Sequence, residues 1–329
     1  MNSSISRTHA FRAMAAALAL TVAGMTQAQA PAMPTATPLR IIVPFAAGTP
    51  TDAIARTIGE GLARSMSRTV VVDNRPGAAG TIGTDAVVTA APDGQTLLLT
   101  VNSPVTINPL LYTKLRHNPL KELAPVAMVA SGGYLLVANP ATGLRTVGDL
   151  IGAARVRPGK INYASYGPGS MSHMCAEIFQ SMTQTRLYHV PYKSGSLTDI
   201  LGGQVDIGFE PIGPAIGHVQ SGKLEALGVT ASRRIAVLPQ VPAIAEALPG
   251  FDCTAWVGVL APAATPAATR TALAEKILAI ASAPEFARLM RDVGGLAAQP
   301  AGEAQFAQAI QEDHEKWARI TRPLAIRLD

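Results

Sequence analysis

The chain has 329 residues, with 27 Lys and Arg against 22 Asp and Glu and a formal charge of +5. Hydrophobic residues make up 48% and charged residues only 15%, which excludes disorder and supports a large buried core; at this length two lobes are a better expectation than one. The basic residues are spread out without aromatic interleaving, which argues against a nucleic-acid partner.

Residues 1–30 read as an export leader. Arg7 and Arg12 give a positive start, AMAAALALTVAGM is a short apolar run, and AQA at 28–30 is a small-x-small cleavage site. Pro31 hinders cleavage after Ala30, which leaves Ala28 as the alternative. The run is too short to span a bilayer. No Cys near either site offers a lipid anchor, and no later run is long enough to cross a membrane. The expectation is a soluble protein exported to the periplasm. Without the leader, the 27 bases lose two, leaving 25 against 22 acids, a mild +3. Export also separates the chain from cytosolic ATP and nicotinamide pools, so no cofactor is expected.

After a Pro/Ala/Thr lead-in at 31–38, LRIIVPF (39–45) reads as a strand buried on both faces. Loop AAGTPTD follows, then a helix marked by Ile54, Ile58 and Leu62, with Thr51 or Asp52 at its N-cap. The unit repeats: TVVVDN as strand, RPGAAGTIG as glycine loop, a helix to Ala91 stopped by PDG, and QTLLLTV as strand ending on Asn102 and Ser103. Residues 125–140 hold two strand-like runs. TVGD at 146–149 is a capping box that opens a helix toward Arg157. INYA then enters the glycine loop SYGPGS. LYHVPY is the next strand, KSGSLTDIL a loop and short helix, QVDIGFE a strand, AIGHVQSG a helix and LEALGVT a strand. Beyond 262 the apolar spacing is helical, through Leu273, Ile277 and Ile280, then Phe306, Ile310, Trp317 and Ile320. Strands alternating with helices mean α/β with largely parallel sheets, and the helical C-terminus is expected back on the first lobe. No fixed-period repeat is present.

Ligands bind at the carboxyl ends of such strands. The stretch 167–172, G-x-G-x-x-S, lacks the third glycine of a dinucleotide fingerprint, and no acid follows at the required distance. GHVQSGKL (217–224) starts like a phosphate loop but has Leu224 where Ser or Thr should hold magnesium. What survives is physical: N–H groups at a helix start favour a small anion, glycines permit close approach, and Ser165 and Ser170 add hydroxyls. The loop after the first strand is of the same kind. His9, His117, His173, His189, His218 and His314 show no metal-ligand spacing. Cys175 and Cys253 either pair in an oxidising compartment or stand as separate small apolar side chains.

Taken in order, RIIVPFAAGTPTDAIAR, VVVDNRPGAAGTIGTDAV, APDGQTLL, INYASYGPGSMSH, HVPYKSG, GQVDIGF, LPQVPAIAEALPGF and WVGVLAPAATP resemble the extracytoplasmic receptors of tripartite tricarboxylate transporters, the Bug receptor family, from about residue 39 to the C-terminus. The resemblance implies a type II (Venus-flytrap) two-lobe periplasmic binding protein, each lobe a mostly parallel sheet flanked by helices. It implies lobe 1 at 31–128 plus 256–329 and lobe 2 at 129–255, hinged around one small organic acid that is handed to membrane subunits without chemistry, by a monomer. Carried over by position, Phe45, Ala47, Gly48, Thr49, Asn102 and Ser103 line the first-lobe side. Ser165, Gly167, Gly169 and Ser170 form the second-lobe nest, with Tyr192, Lys193 and Asp206 nearby. Two departures bear on the ligand: Ala47-Gly48-Thr49 stands where Pro-Gly-Gly is common, and Tyr166 where a small residue is common; both narrow the cleft or add donors.

Other residues keep two readings. Asp52 is an N-cap or a ligand contact, and His173 a ligand contact or a prop behind the loop. Lys193 is a partner for a second carboxylate or a surface lysine, and Asp206 holds a water or a loop amide. Two functional alternatives also stand: a receptor serving a membrane sensor, and an exported hydrolase using Ser170 and His173, which lie three apart but lack a nucleophile elbow and an orienting carboxylate.

Overall fold

The computed structural model describes residues 37–192, 195–294, 296–324 and 327–328; the leader and Lys193 lie outside the described residues. β1 (Leu39–Val43), α1 (Pro50–Met66), β2 (Val70–Asn74), α2 (Thr81–Val88) and β3 (Thr96–Val101) come first. β4 (Leu123–Gly132) is followed by β5 (Tyr134–Ala138), α3 (Val147–Val156), β6 (Asn162–Ser165), α4 (Met171–Thr183) and β7 (Tyr188–Pro191). β8 (Ile207–Pro211), α5 (Ile212–Gln220), β9 (Glu225–Val229) and β10 (Ala255–Pro262) come next. α6 (Ala267–Ala281), α7 (Pro284–Gly294), β11 (Ala297–Ala301) and α8 (Glu303–Leu324) follow. Among the described residues, no helix is long and apolar enough to cross a membrane.

The strands form two sheets, ordered β11-β4-β10-β3-β1-β2 and β7-β6-β8-β5-β9. Both are mixed, which corrects the expectation of mostly parallel sheets. β1 runs parallel to β2 and β3, and β6 parallel to β7 and β8. β10 is antiparallel to β3 and β4, β11 to β4, and β5 to β8 and β9. Strand–helix–strand units return the chain to the same end of a sheet and so make parallel pairs. β5 instead follows β4 directly across Gly133, and β10 reaches the first sheet from β9 of the second through residues 230–254, which include a short helix at Ile244–Ala247; both meet their neighbours antiparallel. The expected divide at 128/129 falls inside β4, which pairs with β10 along its whole length to Gly132.

Both faces of each sheet are covered. Ile41, Val43, Leu97 and Leu99 pack under Ile54, Ile58 and Leu62 of α1 and Leu273 and Ile277 of α6. The opposite face carries Ile42, Leu98 and Trp256 against Phe306 and Ile310 of α8. Gly258 of β10 makes that approach possible, since a Cβ there would lie 2.2 Å from Phe306 Cζ. In the second sheet, Leu136, Tyr163 and Phe209 face α3 and α4, with Trp317 of α8 in the same core. The C-terminal helix therefore serves both cores, not only the first as expected.

Three local readings are settled here. The capping box at 146–149 forms, with Thr146 Oγ1 accepting the Asp149 N–H at 3.0 Å and Asp149 Oδ2 accepting the Thr146 N–H at 2.9 Å. Cys175 and Cys253 are bonded to each other. β11 was not expected at all: AAQPA has no β-branched residue and contains Pro300, tolerated because the strand lies at the sheet edge and its register shifts there.

Candidate functional site

Two loops at strand ends, each leading into a helix, set the chemistry. In the first, Thr49 is the N-cap of α1 and Pro50 its first helical residue, a placement that suits a residue without an N–H. This corrects the assignment of the cap to Thr51 or Asp52. Asp52 is instead a buried tie: its carboxylate accepts the Gly48 N–H at 2.9 Å, Arg56 Nε at 3.0 Å and Asn74 Nδ2 at 3.0 Å. Burial works to raise its pKa, but these partners more than offset that and hold it below the usual carboxylate value. Asn74, at the end of β2, also donates to the Phe45 carbonyl at 3.1 Å. The loop is thus held from behind.

In the second loop, Ser170 caps α4, its Oγ accepting the His173 N–H and donating to the Gly167 carbonyl at 2.6 Å. The glycine N–H groups turn inward. Gly167 donates to Ser165 Oγ and Gly169 to His173 Nδ1, each at 3.1 Å, while the Tyr166 N–H meets Ser172 Oγ at 3.0 Å. The expectation that Gly167 and Gly169 form the anion nest with their own amides is corrected. Both residues have positive φ, 102° and 83°, and make the turn that presents the next residues. The unspent donors sit one turn on: among the described residues, nothing accepts the N–H of Met171 or Ser172 in α4, or of Thr51 in α1.

These two helix starts line one cleft of about 820 Å³, counting space open to solvent. Of the expected residues, Phe45, Thr49, Ser103, Tyr166 and Ser170 line it. They are joined by Tyr134, Met171 and Ser172, by Ile54, Ile212 and Leu296, and by the crossing segments at Gly132–Gly133 and Ala255. Among the described residues no Lys, Arg, Asp, Glu or His lines it. The polar capacity is therefore hydroxyls and backbone amides, backed by the positive ends of two helices.

The remaining expected residues have other work. Ala47 and Gly48 belong to the first loop but are not in the lining. Asn102 Nδ2 holds Asp313 of α8 at 3.1 Å. Ser165 is fully buried, with Oγ 2.6 Å from His189 Nε2. Tyr192 donates its hydroxyl to Asp199 at 2.7 Å, and burial followed by Asp199 pushes its pKa up to about 12. Asp206 accepts the Asn162 N–H at 2.8 Å. That contact sits at the start of β6, the end opposite Ser165, so the ligand role for Asp206 is corrected, and the amide it holds belongs to the first residue of that strand rather than to a loop. His173 stacks on His189 with centroids 4.5 Å apart, behind the loop. Its Nδ1 takes the Gly169 N–H and its Nε2 lies 3.7 Å from Glu177. Ser170 and His173 therefore do not form a nucleophile–base pair: the Ser170 hydroxyl is spent on the Gly167 carbonyl.

Residue-by-residue reading missed Tyr134, Met171, Ser172 and Glu210. The last is fully buried in β8 and hydrogen-bonds Tyr166. Gly132-Gly133 before Tyr134, between two apolar runs, was the available signal for a crossing point. Glu210 had one too, as an acid closing the apolar run QVDIGFE.

A family model described as tripartite tricarboxylate transporter family receptor matches residues 54–326. Protein BugT of Bordetella pertussis is 38% identical over 234 residues, covering 70% of this chain and 72% of BugT. Among solved structures, MatC from Rhodopseudomonas palustris with bound malate is 30% identical with a TM-score of 0.80, covering 86% of this chain and 98% of that one. An R. palustris protein solved with adipate is 27% identical with a TM-score of 0.82, covering 87% and 96%.

Proposed function

The chain belongs to the tripartite tricarboxylate transporter receptor family, and from that premise we propose that it captures one small carboxylate in its cleft and delivers it to the membrane subunits of such a transporter. The observation that carries this reading is the meeting of two helix N-termini on a cleft whose described lining has no charged side chain. A carboxylate placed there exchanges water for the N–H groups of Thr51, Met171 and Ser172 and for the partial positive charge of both helices. At those helix starts a cation would be repelled by the same partial charge. The malate and adipate of the structural neighbours support a dicarboxylate of four to six carbons.

The working protein is a monomer in the periplasm, exported by residues 1–30 and cleaved after Ala28 or Ala30. Sheet membership supports a lobe division at Gly132–Gly133 and just before β10, a few residues from the boundaries expected from sequence. Since each helix start belongs to a different sheet's loops, a ligand touching both favours the closed state in proportion to its contacts with each. The separate engagements of Ser170 and His173 support binding without hydrolysis.

The test is a thermal-shift screen of the mature protein, refolded to strip carried-over ligand. The panel pairs dicarboxylates, tricarboxylates, acidic amino acids and aromatic acids with their amides or esters. A ligand at a hundred times its dissociation constant stabilises by about 2.7 kcal/mol. A shift for an acid but not its amide is expected; silence across the panel, or equal shifts for acid and amide, would sink the reading.

A further inference from the structure

Tyr166 follows Ser165 at the end of β6 and lines the cleft. Its hydroxyl donates to Glu210 Oε2 at 3.0 Å. The other oxygen of Glu210 accepts the hydroxyl of Ser196, which is fully buried, as is Glu210 itself. No cationic side chain among the described residues pairs with this carboxylate. Tyr134, on the adjacent strand, also lines the cleft, and Glu210 adds to the burial that raises its pKa. A phenol has one proton and two lone pairs. Above about pH 7, the value to which burial pushes Glu210, the Tyr166 proton is committed to that carboxylate, and the Tyr166 oxygen can only accept from whatever enters the cleft.

We propose that Tyr166, oriented by Glu210, is a donor-reading subsite that makes the protein select carboxylates bearing a hydroxyl or ammonium group over equally sized acids that lack one. The proposal rests on the carboxylate reading above and adds the ligand's second group. The helix starts take the carboxylate, while Tyr166 and the charge behind it disfavour a second acceptor on their side. The buried carboxylate gives the subsite its direction: a tyrosine facing only solvent could turn its proton either way, whereas this one cannot without leaving Glu210 short of a donor. An ammonium gains further from the Glu210 charge, because a buried charge is screened less than an exposed one.

The test is calorimetric titration of the refolded mature protein at about pH 8.5, where Glu210 is ionised, with matched probes: succinate, malate and aspartate; glutarate, 2-hydroxyglutarate and glutamate; adipate and 2-aminoadipate. Within whichever chain length binds, the hydroxy and amino acids should bind about tenfold or more tighter than the parent acid, the worth of one hydrogen bond to a partly charged acceptor. Tyr166→Phe should bring that ratio close to one. Glu210→Gln, which keeps a hydrogen-bonding partner for both Tyr166 and Ser196, should cut the ammonium advantage most. Equal affinities across a set in the parent protein, or a preference that survives Tyr166→Phe, would overturn the proposal while the carboxylate reading stood. Failure of every probe would overturn the proposal together with the expectation of a dicarboxylate of four to six carbons. A melting curve for each variant shows whether it is folded.

Discussion

His173 and His189 show how a residue can matter to a site it does not touch. Nδ1 of His173 accepts the Gly169 N–H, so the ring carries its proton on Nε2 and faces Glu177. Burial, and then His189, pushes its pKa down to about 3; burial alone pushes His189 down to about 4. Both rings are neutral when folded and gain a proton on unfolding, so below about 6.5 the unfolded chain binds more protons. Their stability contribution is complete above that pH and is lost as pH falls toward 4. Glu210 acts oppositely. Burial pushes it up to about 7 from 4.5, so the folded chain keeps a proton that the unfolded chain releases, and that contribution is present in acid and lost as pH rises through 7. Urea midpoints should therefore fall between about pH 6.5 and 4.5, more steeply in Glu210→Gln and less steeply in His189→Gln. Midpoints that do not move with pH in all three proteins would refute this account. The loop glycines were visible in the sequence, but the direction of their amides was not, because it depends on His173 Nδ1 and Ser165 Oγ, groups whose neighbours come from other elements.

At the scale of elements, α4 carries most of the second-lobe chemistry, and its placement is covalent as well as hydrophobic. Cys175 in its second turn is bonded to Cys253, which lies just ahead of β10 at a crossing between the sheets. The bond closes a loop of 78 residues. Loop-closure entropy assigns such a bond about 4.5 kcal/mol, and less where the reduced unfolded chain keeps residual structure. Cys175→Ser with Cys253→Ser should therefore lower the urea midpoint markedly and weaken ligand binding, because the helix start is less firmly set. Unchanged stability on reduction would show that packing of Phe179, Met174 and Ile178 alone holds α4. Most elements here were readable in advance, since α1 has its apolar face at Ile54, Ile58 and Leu62 and α3 its capping box. β11 was not, since only its neighbour β4 makes AAQPA a strand. The α1 cap was misplaced by two or three residues because Thr49 and Thr51 offer the same hydroxyl, and the turn at Gly48 decides between them.

Across the whole molecule, α8 ties the two sheets together. Phe306 and Ile310 belong to one core and Trp317 to the other. Between them, Asp313 accepts from Asn102 Nδ2 at 3.1 Å, Thr106 Oγ1 at 2.6 Å and Trp317 Nε1 at 2.9 Å. Burial pushes its pKa up against these hydrogen bonds. Asp313→Ala leaves three donors without their acceptor at the junction, and a loss of about 3 kcal/mol is expected, read as a lower urea midpoint; Asp313→Asn should lose less. A change within about 0.5 kcal/mol, the range of ordinary surface substitutions, would show that the apolar contacts of α8 suffice. Asn102 was expected at the ligand; it serves this junction because the end of β3 faces α8 as well as the cleft.

The sequence by itself determined the alternation of strands and helices, the two glycine loops before helix starts, the family and the expectation of an anion. Those properties depend on local spacing and on backbone donors that any helix start exposes. Only the tertiary structure decided that the sheets are mixed, that Cys175 meets Cys253, that Asp206 sits at the wrong end of its strand, and that Glu210 stands behind Tyr166. Each of these is a meeting of residues far apart in the chain. Which face a side chain presents, and to what, is set when β5 and β10 cross between sheets rather than by the residues beside it.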